Sequence, residues 1–189
     1  MFNGLNTSLE FIARQTQHNL PILAEILLIV WFAFFLTYLN KKLLCFGIFP
    51  RRIYGIPGIL LAPLLHANFN HVFFNSIPLV VLSNFLLING LHYFIWITLE
   101  ITLASGFLIW CFGRPGLYVG ASGVITGYWA LLVSNIMSQG NLTAFILGVL
   151  SIYYFMGIFL GVFPGKKGVA WEGHLCGLLV GFAIGYLLY

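Results

Sequence analysis

The stretch Gly120-Ala121-Ser122-Gly123 stands at the head of an apolar segment that runs to about Met137. A serine attacks a carbonyl only if a base accepts its proton, and histidine is the usual base. Such a base follows later in the chain, where Gly173-His174 lies near the start of another apolar segment. We interpret Ser122 and His174 as a nucleophile and its base inside a membrane.

The composition excludes a water-soluble globular domain. Hydrophobic residues make up 61% of the chain and charged residues 6%, whereas soluble domains are about 25% charged. A segment of about 20 apolar residues crosses the hydrocarbon core of a bilayer, and a chain of 189 residues has room for six such segments. The sequence therefore predicts an all-α membrane protein, with a short N-terminal tail at 1–20 and one domain of six transmembrane helices at 21–189.

The expected spans lie at 21–40, 70–89, 93–112, 120–137, 142–162 and 171–189. Pro78 is expected to kink the second span. The loop at 43–69 contains an apolar run too short to cross, so this loop should lie in the interface or dip into the membrane. The sequence at 164–168 predicts a turn. The first apolar run lacks a cleavage site behind it and should remain in the mature protein.

The order of the spans predicts that four polar residues lie at the same depth in the membrane. Spans two, four and six enter the membrane from the same side, and their first turns contain His71 with Asn75, Ser122, and His174 respectively. At a rise of about 1.5 Å per residue, all four lie within roughly one or two turns of that face. Polar residues inside spans are energetically expensive and are treated as candidate functional residues by default. The sequence therefore predicts one constellation built by three helices.

The constellation has the parts of an acyl-transfer site. His71 and Asn75 are four residues apart and project from one helix face, where both could donate to a developing oxyanion; losing one such donor costs about 3–4 kcal/mol. The sequence contains no aspartate, and Glu172 should point away from His174. We therefore expect a dyad and a slow catalyst, since loss of the acidic member of a triad costs a factor of about 10⁴. His66 could contact loop backbone or orient the oxyanion donors, and a structural role is the better expectation.

Glycines recur at intervals of four on two of the spans: Gly123 and Gly127 on span four, and Gly177, Gly181 and Gly185 on span six. Small residues at this spacing let transmembrane helices approach closely, as a hydrogen bond between Ser122 and His174 requires. The same pattern would form the packing seams of a transporter or scaffold, and packing alone favours neither interpretation.

Other ligand classes fit the sequence poorly. Zinc needs three convergent ligands, and the candidates would be His66, His71, Glu172 and His174. The zinc-binding motif H-E-x-x-H is absent, and His66 and His71 are five residues apart where that motif has four. We expect no metal and no cofactor. The net charge of +4 is too thinly spread for nucleic acid. The three cysteines are expected to be buried free thiols. Glu100 could be protonated or paired with a neighbour such as Asn84.

Three motifs carry a family resemblance: His66-Ala-Asn-Phe-Asn-His71-Val-Phe-Phe-Asn75, Gly120-Ala-Ser122-Gly123 and Trp171-Glu-Gly-His174-Leu-Cys-Gly177. In order and spacing the chain resembles the rhomboid intramembrane serine proteases across about 50–189, and in particular a bacterial form with a six-helix core. It differs from the better-studied members at Thr126, where they often have a tyrosine, at Leu87, where they have a glutamate, and in lacking a Trp-Arg pair in the first loop.

The resemblance implies that Ser122 is the nucleophile and His174 the general base and acid of an acyl-enzyme pathway. It implies that His71, Asn75 and the backbone N–H of Ser122 stabilise the oxyanion. Gly120, Gly123, Gly177, Gly181 and His66 would support this site. Substrates would be single-pass membrane proteins with a destabilised helix and a small residue before the cut. They would enter past span five, while water would enter under the loop around 163–170.

Two features of the sequence predict opposite orientations in the membrane. Seven of the eight basic residues lie in odd-numbered loops: Lys41, Lys42, Arg51, Arg52, Arg114, Lys166 and Lys167. The positive-inside rule would make that side cytoplasmic, whereas the resemblance implies a multi-pass protein of the cell membrane, as in a bacterial inner membrane, with both termini cytoplasmic. We follow the resemblance.

The alternative function is a catalytically silent rhomboid-like protein that binds transmembrane segments, although such proteins typically lack the serine or the histidine. A channel or transporter would need a polar path through the whole membrane, and the strongest polar constellation is confined to one face. The expected partners are transmembrane substrates and the lipid bilayer, and the sequence specifies no oligomeric state.

Overall fold

The computed structural model describes residues 2–161, 163 and 170–187. The helices are α1 (Phe2–Leu39), α2 (Gly58–Leu61), α3 (Phe69–Leu87), α4 (Leu91–Phe112), α5 (Ser122–Ser138), α6 (Leu142–Leu160) and α7 (Trp171–Leu187), with short 3-10 helices at Lys41–Phe46, Ile53–Gly55 and Ala62–Leu64. Extended pairing in the described residues is limited to an isolated bridge between Ile48 and Tyr118. The predicted all-α class is confirmed.

The long helices match the expected spans closely, with α1 as the exception. It runs without interruption from Phe2 and includes Pro21, so it crosses the boundary expected between the tail and the first span. Pro78 lies inside α3, which is continuous from Phe69 to Leu87, and the expected kink stays a prediction. The turn expected at 164–168 and the last residues of the fifth and sixth expected spans lie outside the described residues.

Among the described residues, three helical segments have the length and apolarity of a membrane span: Gly4–Leu39, Phe69–Leu87 and Leu91–Phe112. The apolar helices at Leu142–Ile158 and Trp171–Leu187 are shorter. Helices α5 and α7 have 17 residues each, which is at the lower end of the length that crosses a bilayer. The chain is a membrane protein, and the count of six spans stays a prediction.

Helix α5 is the centre of the bundle. It packs against α3, α4, α6 and, most extensively, α7, and every residue from Val124 to Leu132 is buried. The glycines explain the close approach of α7, because a Cβ at Gly177 or Gly181 would collide with the backbone carbonyl oxygen of Gly123 or Gly127. The two helices that carry Ser122 and His174 therefore pack backbone against backbone.

The first loop, residues 40–68, is folded against the ends of the helices. Its backbone pairs with the third loop, residues 113–121, through hydrogen bonds between Ile48 and Tyr118 in both directions at 3.0 Å. Arg51 donates from Nη1 to the carbonyl oxygens of Cys111 and Gly113 at 3.1 and 2.8 Å. These contacts fix the third loop, which leads directly into Ser122.

Polar side chains also join α1 to α3 inside the bundle. Asn19 donates to the Oδ1 of Asn84 at 3.1 Å, and Asn84 donates to the Oγ1 of Thr16 at 2.8 Å. The suggested pairing of Asn84 with Glu100 is therefore wrong, because the asparagine is engaged by α1 while Glu100 lies on the exposed surface of α4. The three cysteines are free thiols, as expected, but the expectation that they are buried is wrong for Cys45, which is exposed, and Cys111 and Cys176 are only partly buried.

Candidate active site

Ser122 is the first residue of α5 and is half-buried. The turn before it requires a glycine, because Gly120 has a φ of +113°, in the left-handed region that side chains disfavour. Gly120 donates its N–H to the carbonyl oxygen of Ala62 at 2.8 Å, so the first loop holds the turn in place. As the first residue of a helix, Ser122 has an N–H without an intrahelical partner. That N–H is available to an anion next to its own hydroxyl.

His71 and Asn75 lie over the turn that precedes Ser122. A Cβ placed on Gly120 would be 2.5 Å from Nε2 of His71 and 3.5 Å from Nδ2 of Asn75. The start of α3 is fixed by Asn68, whose Oδ1 accepts the N–H of His71 at 2.9 Å. The structure therefore brings the two expected side-chain donors to the backbone beside Ser122, and only glycine leaves them room.

His66 supports Asn75 from behind. Its ring is fully buried, with Nδ1 3.3 Å from the carbonyl oxygen of Leu64 and Nε2 3.1 Å from Nδ2 of Asn75. A carbonyl oxygen only accepts hydrogen bonds, so Nδ1 donates and Nε2 accepts from the amide. Burial and the neighbouring charge of His71 lower the pKa of His66 to about 4, which keeps its ring neutral near pH 7. His66 thus makes both of the contacts considered from the sequence.

His174 lies in the first turn of α7 and is half-buried. Its Nδ1 is 2.8 Å from the backbone carbonyl oxygen of Gly161, at the end of α6. Nδ1 must donate to this acceptor, which leaves Nε2 as the acceptor of the neutral ring. Sequence reasoning missed this contact, because a backbone carbonyl leaves no signature in side-chain identity.

The first turns of α5 and α7 touch. A Cβ on Gly123 would be 3.1 Å from the carbonyl oxygen of Gly173, so the residues next to Ser122 and His174 meet. In the part of the chain that the structure describes, no hydrogen bond joins Ser122 to the ring of His174. Catalytic hydrogen bonds are often long without substrate and shorten when it binds.

A small cavity of about 40 Å³ lies against the serine. A single water needs roughly 10–15 Å³ on this measure, so the cavity has room for at least one. Hydroxyl groups from α4 and backbone from α5 and α7 contribute to its lining: Thr102, Ser105, Ser122, Gly123 and Gly173. The loop at 163–170, under which water was expected to enter, falls largely outside the described residues.

Glu172 points away from His174, as expected, and forms an ion pair with Arg114 in the third loop. The guanidinium of Arg114 also lies 5.6 Å from the ring centre of Trp171, and Tyr118 donates to the carbonyl oxygen of Arg114 at 3.2 Å. The hydrogen bond to Glu172 raises the pKa of Arg114, which therefore stays charged. The ion pair between Arg114 and Glu172, which was not predicted from the sequence, connects the loop before Ser122 to the first turn of α7, where His174 lies.

Within the described ranges, no three histidine, cysteine or glutamate side chains converge as metal ligands would. The geometry is that of a serine, a tautomer-defined histidine and a set of N–H donors at the junction of α3, α5 and α7.

A family model described as the Rhomboid domain matches residues 54–189, which include every residue of this site. The chain belongs to the rhomboid family. Its relatives include an uncharacterized protein of Mycobacterium tuberculosis, 36% identical over 151 residues, or 75% of this chain and 63% of the relative. An uncharacterized protein of Mycobacterium leprae is 38% identical over 141 residues, covering 69% of this chain and 55% of the relative.

A protein of Acanthamoeba polyphaga mimivirus, whose name assigns it to the rhomboids, is 32% identical over 134 residues, covering 67% of this chain and 72% of its own length. The chain spans only about 63% of the length of the M. tuberculosis relative. The whole of α1 of this rhomboid lies outside the matched domain, whereas α3 to α7, which carry the site, lie inside it.

Proposed function

We propose that this rhomboid is an intramembrane serine endopeptidase, which cleaves transmembrane segments of single-pass membrane proteins through a Ser122–His174 dyad. The observation that carries the proposal is the turn at Gly120. His71 and Asn75 crowd its backbone, and the helix that it starts meets the first turn of α7 through Gly123 and Gly173. These contacts support a site in which Ser122 is the nucleophile, His174 the base, and His71, Asn75 and the backbone N–H of Ser122 the donors to the oxyanion.

The proposed reaction begins when Nε2 of His174 accepts the proton of the Ser122 hydroxyl and the Oγ attacks the peptide carbonyl. The oxyanion that forms would accept hydrogen bonds from the backbone N–H of Ser122, from Nε2 of His71 and from Nδ2 of Asn75. The imidazolium of His174 then protonates the departing amine, which leaves an acyl-serine. Water, deprotonated by His174, hydrolyses that ester and restores the enzyme.

Donors fixed before the reaction contribute most to such catalysis. The second amide hydrogen of Asn75 is free for substrate because the first is held by His66. The reaction uses neither a metal nor a cofactor. The substrates that we propose have a destabilised helix near the membrane interface, since a regular helix hides its peptide carbonyls from a nucleophile.

The second candidate is a catalytically silent rhomboid that binds transmembrane segments. It is favoured by one observation, namely that no hydrogen bond joins Ser122 to His174 in the described residues. Labelling with a fluorophosphonate probe in detergent separates the two functions, because the probe reacts only with an activated serine.

We expect the wild type to be labelled and Ser122→Ala and His174→Ala not to be. Ser138→Ala is the matched control, because this serine lies at the far end of the same helix. An unlabelled wild type that is folded and accessible to the probe would favour the silent binder, as would labelling that survives in Ser122→Ala.

A further inference from the structure

We propose that the backbone carbonyl of Gly161 is the third member of the catalytic unit, which holds His174 in the tautomer and orientation that activate Ser122. The inference rests on the proposed function. It assigns to the end of α6 a positioning role that in other serine hydrolases belongs to a carboxylate side chain.

The first argument is the direction of the hydrogen bond. Nδ1 of His174 lies 2.8 Å from the oxygen of Gly161, and that oxygen only accepts. The contact therefore selects the ring with its hydrogen on Nδ1. The lone pair is then on Nε2, the atom that must accept the serine proton. The opposite tautomer would lose this bond and present an N–H to Ser122.

The second argument is that the carbonyl itself is held. Gly161 donates its N–H to the carbonyl oxygen of Ile158 at 3.0 Å, which closes a turn at the end of α6. Helix ends leave carbonyl groups without intrahelical partners. The carbonyl group of Gly161 contacts the ring of His174 instead.

The third argument is that His174 explains why residue 161 is a glycine. A Cβ at this position would lie 2.6 Å from Nδ1 and 3.0 Å from Cε1 of the ring, and 3.1 Å from the carbonyl oxygen of Ile158. The φ of Gly161 is not in the left-handed region, which among the described glycines is occupied by Gly90, Gly120 and Gly140. The φ at this position would therefore suit an alanine, and the imidazole makes the two closest contacts with its Cβ.

The fourth argument is that no carboxylate takes the role. The sequence has no aspartate and four glutamates. Glu172 pairs with Arg114, and Glu10 pairs with Arg14. Glu25 and Glu100 lie on the exposed surfaces of α1 and α4. A neutral carbonyl can orient the ring as a carboxylate does, but it stabilises the imidazolium less because it carries no charge.

The test compares Gly161→Ala with Gly157→Ala. Gly157 lies one turn earlier on α6, and a Cβ there meets nothing within 4 Å. Fluorophosphonate labelling of Gly161→Ala should slow by about 100-fold, since a displacement of roughly 1 Å at a catalytic group has that effect. Gly157→Ala should label at the wild-type rate. Equal rates for the two variants would overturn the proposal.

Nitrogen-15 NMR of the histidine rings supplies the readout that a merely structural role would not move. The wild type should show His174 with its proton on Nδ1, and Gly161→Ala should lose that signature while Gly157→Ala keeps it. This measurement does not depend on activity. A wild type with the Nδ1 proton but no labelling would contradict the proposed function and leave the hydrogen bond standing, whereas a wild type protonated on Nε2 would overturn the inference.

A second variant covers the case in which Gly161→Ala does not fold. Replacing residue 162 by its α-hydroxy acid turns the carbonyl of Gly161 into an ester carbonyl, a weaker acceptor of unchanged size. Labelling should then slow and the Nδ1 signature should weaken. If both remain as in the wild type, the carbonyl has no positioning role.

Discussion

Three histidines in this protein differ in what their ring nitrogens contact. His66 donates to a carbonyl and accepts from Asn75, His174 donates to Gly161, and His71 directs Nε2 at the turn of Gly120. The sequence predicts which residues converge, because motif order and span parity fix their depth. It does not predict the tautomers, because they depend on backbone carbonyls that become neighbours only after folding.

The buried ring of His66 makes the stability of the protein depend on pH. Its pKa is lowered from 6.5 to about 4 by burial and the charge of His71, so between these values the unfolded chain binds more protons than the folded one. The free energy of unfolding is therefore unaffected by the titration of this group above pH 6.5. It decreases as the pH falls from 6.5 to 4, by about 3 kcal/mol in all.

The expected measurement is the free energy of unfolding of wild type and His66→Gln across that range. The glutamine amide can still accept from Asn75 but does not titrate, so the stability of the variant relative to wild type should improve as the pH falls. A constant difference between the two proteins from pH 7 to pH 4 would contradict the lowered pKa.

At the scale of helices, the glycines of α7 set its distance from α5, and with it the distance between the proposed base His174 and the proposed nucleophile Ser122. A Cβ at Gly181 would collide with the carbonyl oxygen of Gly127, so Gly181→Ala should push α7 away from α5. Overpacking of this kind costs about 1–3 kcal/mol, and fluorophosphonate labelling should fall as well. Gly157→Ala, which meets open space, is the control for the helical propensity of alanine. Equal stability of the two variants would show that the glycine contact is not required.

The ion pair between Arg114 and Glu172 joins the third loop to the start of α7, and its two members are unequally placed. Glu172 is buried, at 8% exposure, whereas the side chain of Arg114 is largely exposed. Removing the arginine leaves a buried carboxylate uncompensated, while neutralising the glutamate removes the buried charge itself.

We therefore expect Arg114→Gln to destabilise the protein more than Glu172→Gln, with the double variant close to Glu172→Gln alone. Thermal unfolding of the three variants in one detergent tests the order. If Glu172→Gln lowers the unfolding temperature most, the attraction between the two charges contributes more to stability than the cost of burying the carboxylate.

Helices were easier to foresee than the loops that complete the site. Apolar length and proline position predict α3 to α7 to within a turn, and glycine spacing indicates the α5–α7 contact. The first loop has no periodic pattern, because it is stabilised by individual bonds such as Gly120 to Ala62 and Arg51 to Gly113. The N-terminal part of α1 was missed because its polar residues, among them Asn19 and Thr16, are satisfied by Asn84 across the bundle.

At the scale of the whole molecule, the basic residues are part of the folded loops. Arg51 donates to backbone carbonyls, Lys41 donates to the carbonyl oxygen of Ala67 at 3.0 Å, and Arg114 pairs with Glu172. The positive-inside rule treats lysine and arginine in short loops as signals of a cytoplasmic side. In this rhomboid several of them have a structural reason to lie on the side of the active site, whichever side of the membrane that is.

We therefore predict that both termini are cytoplasmic and that Ser122 opens toward the opposite face, against the charge count. Alkaline phosphatase and fluorescent-protein fusions at Tyr189 measure this directly, since phosphatase is active only outside the cytoplasm and the fluorescent protein only inside. Fluorescence without phosphatase activity is the expected result.

The control is a second fusion placed after Asn89, between α3 and α4 on the side of the termini. A fusion within the first loop would disturb the site and is therefore avoided. The fusion after Asn89 should give the same result as the C-terminal fusion. Phosphatase activity at both positions would mean that the basic residues direct insertion and that the dyad faces the cytoplasm.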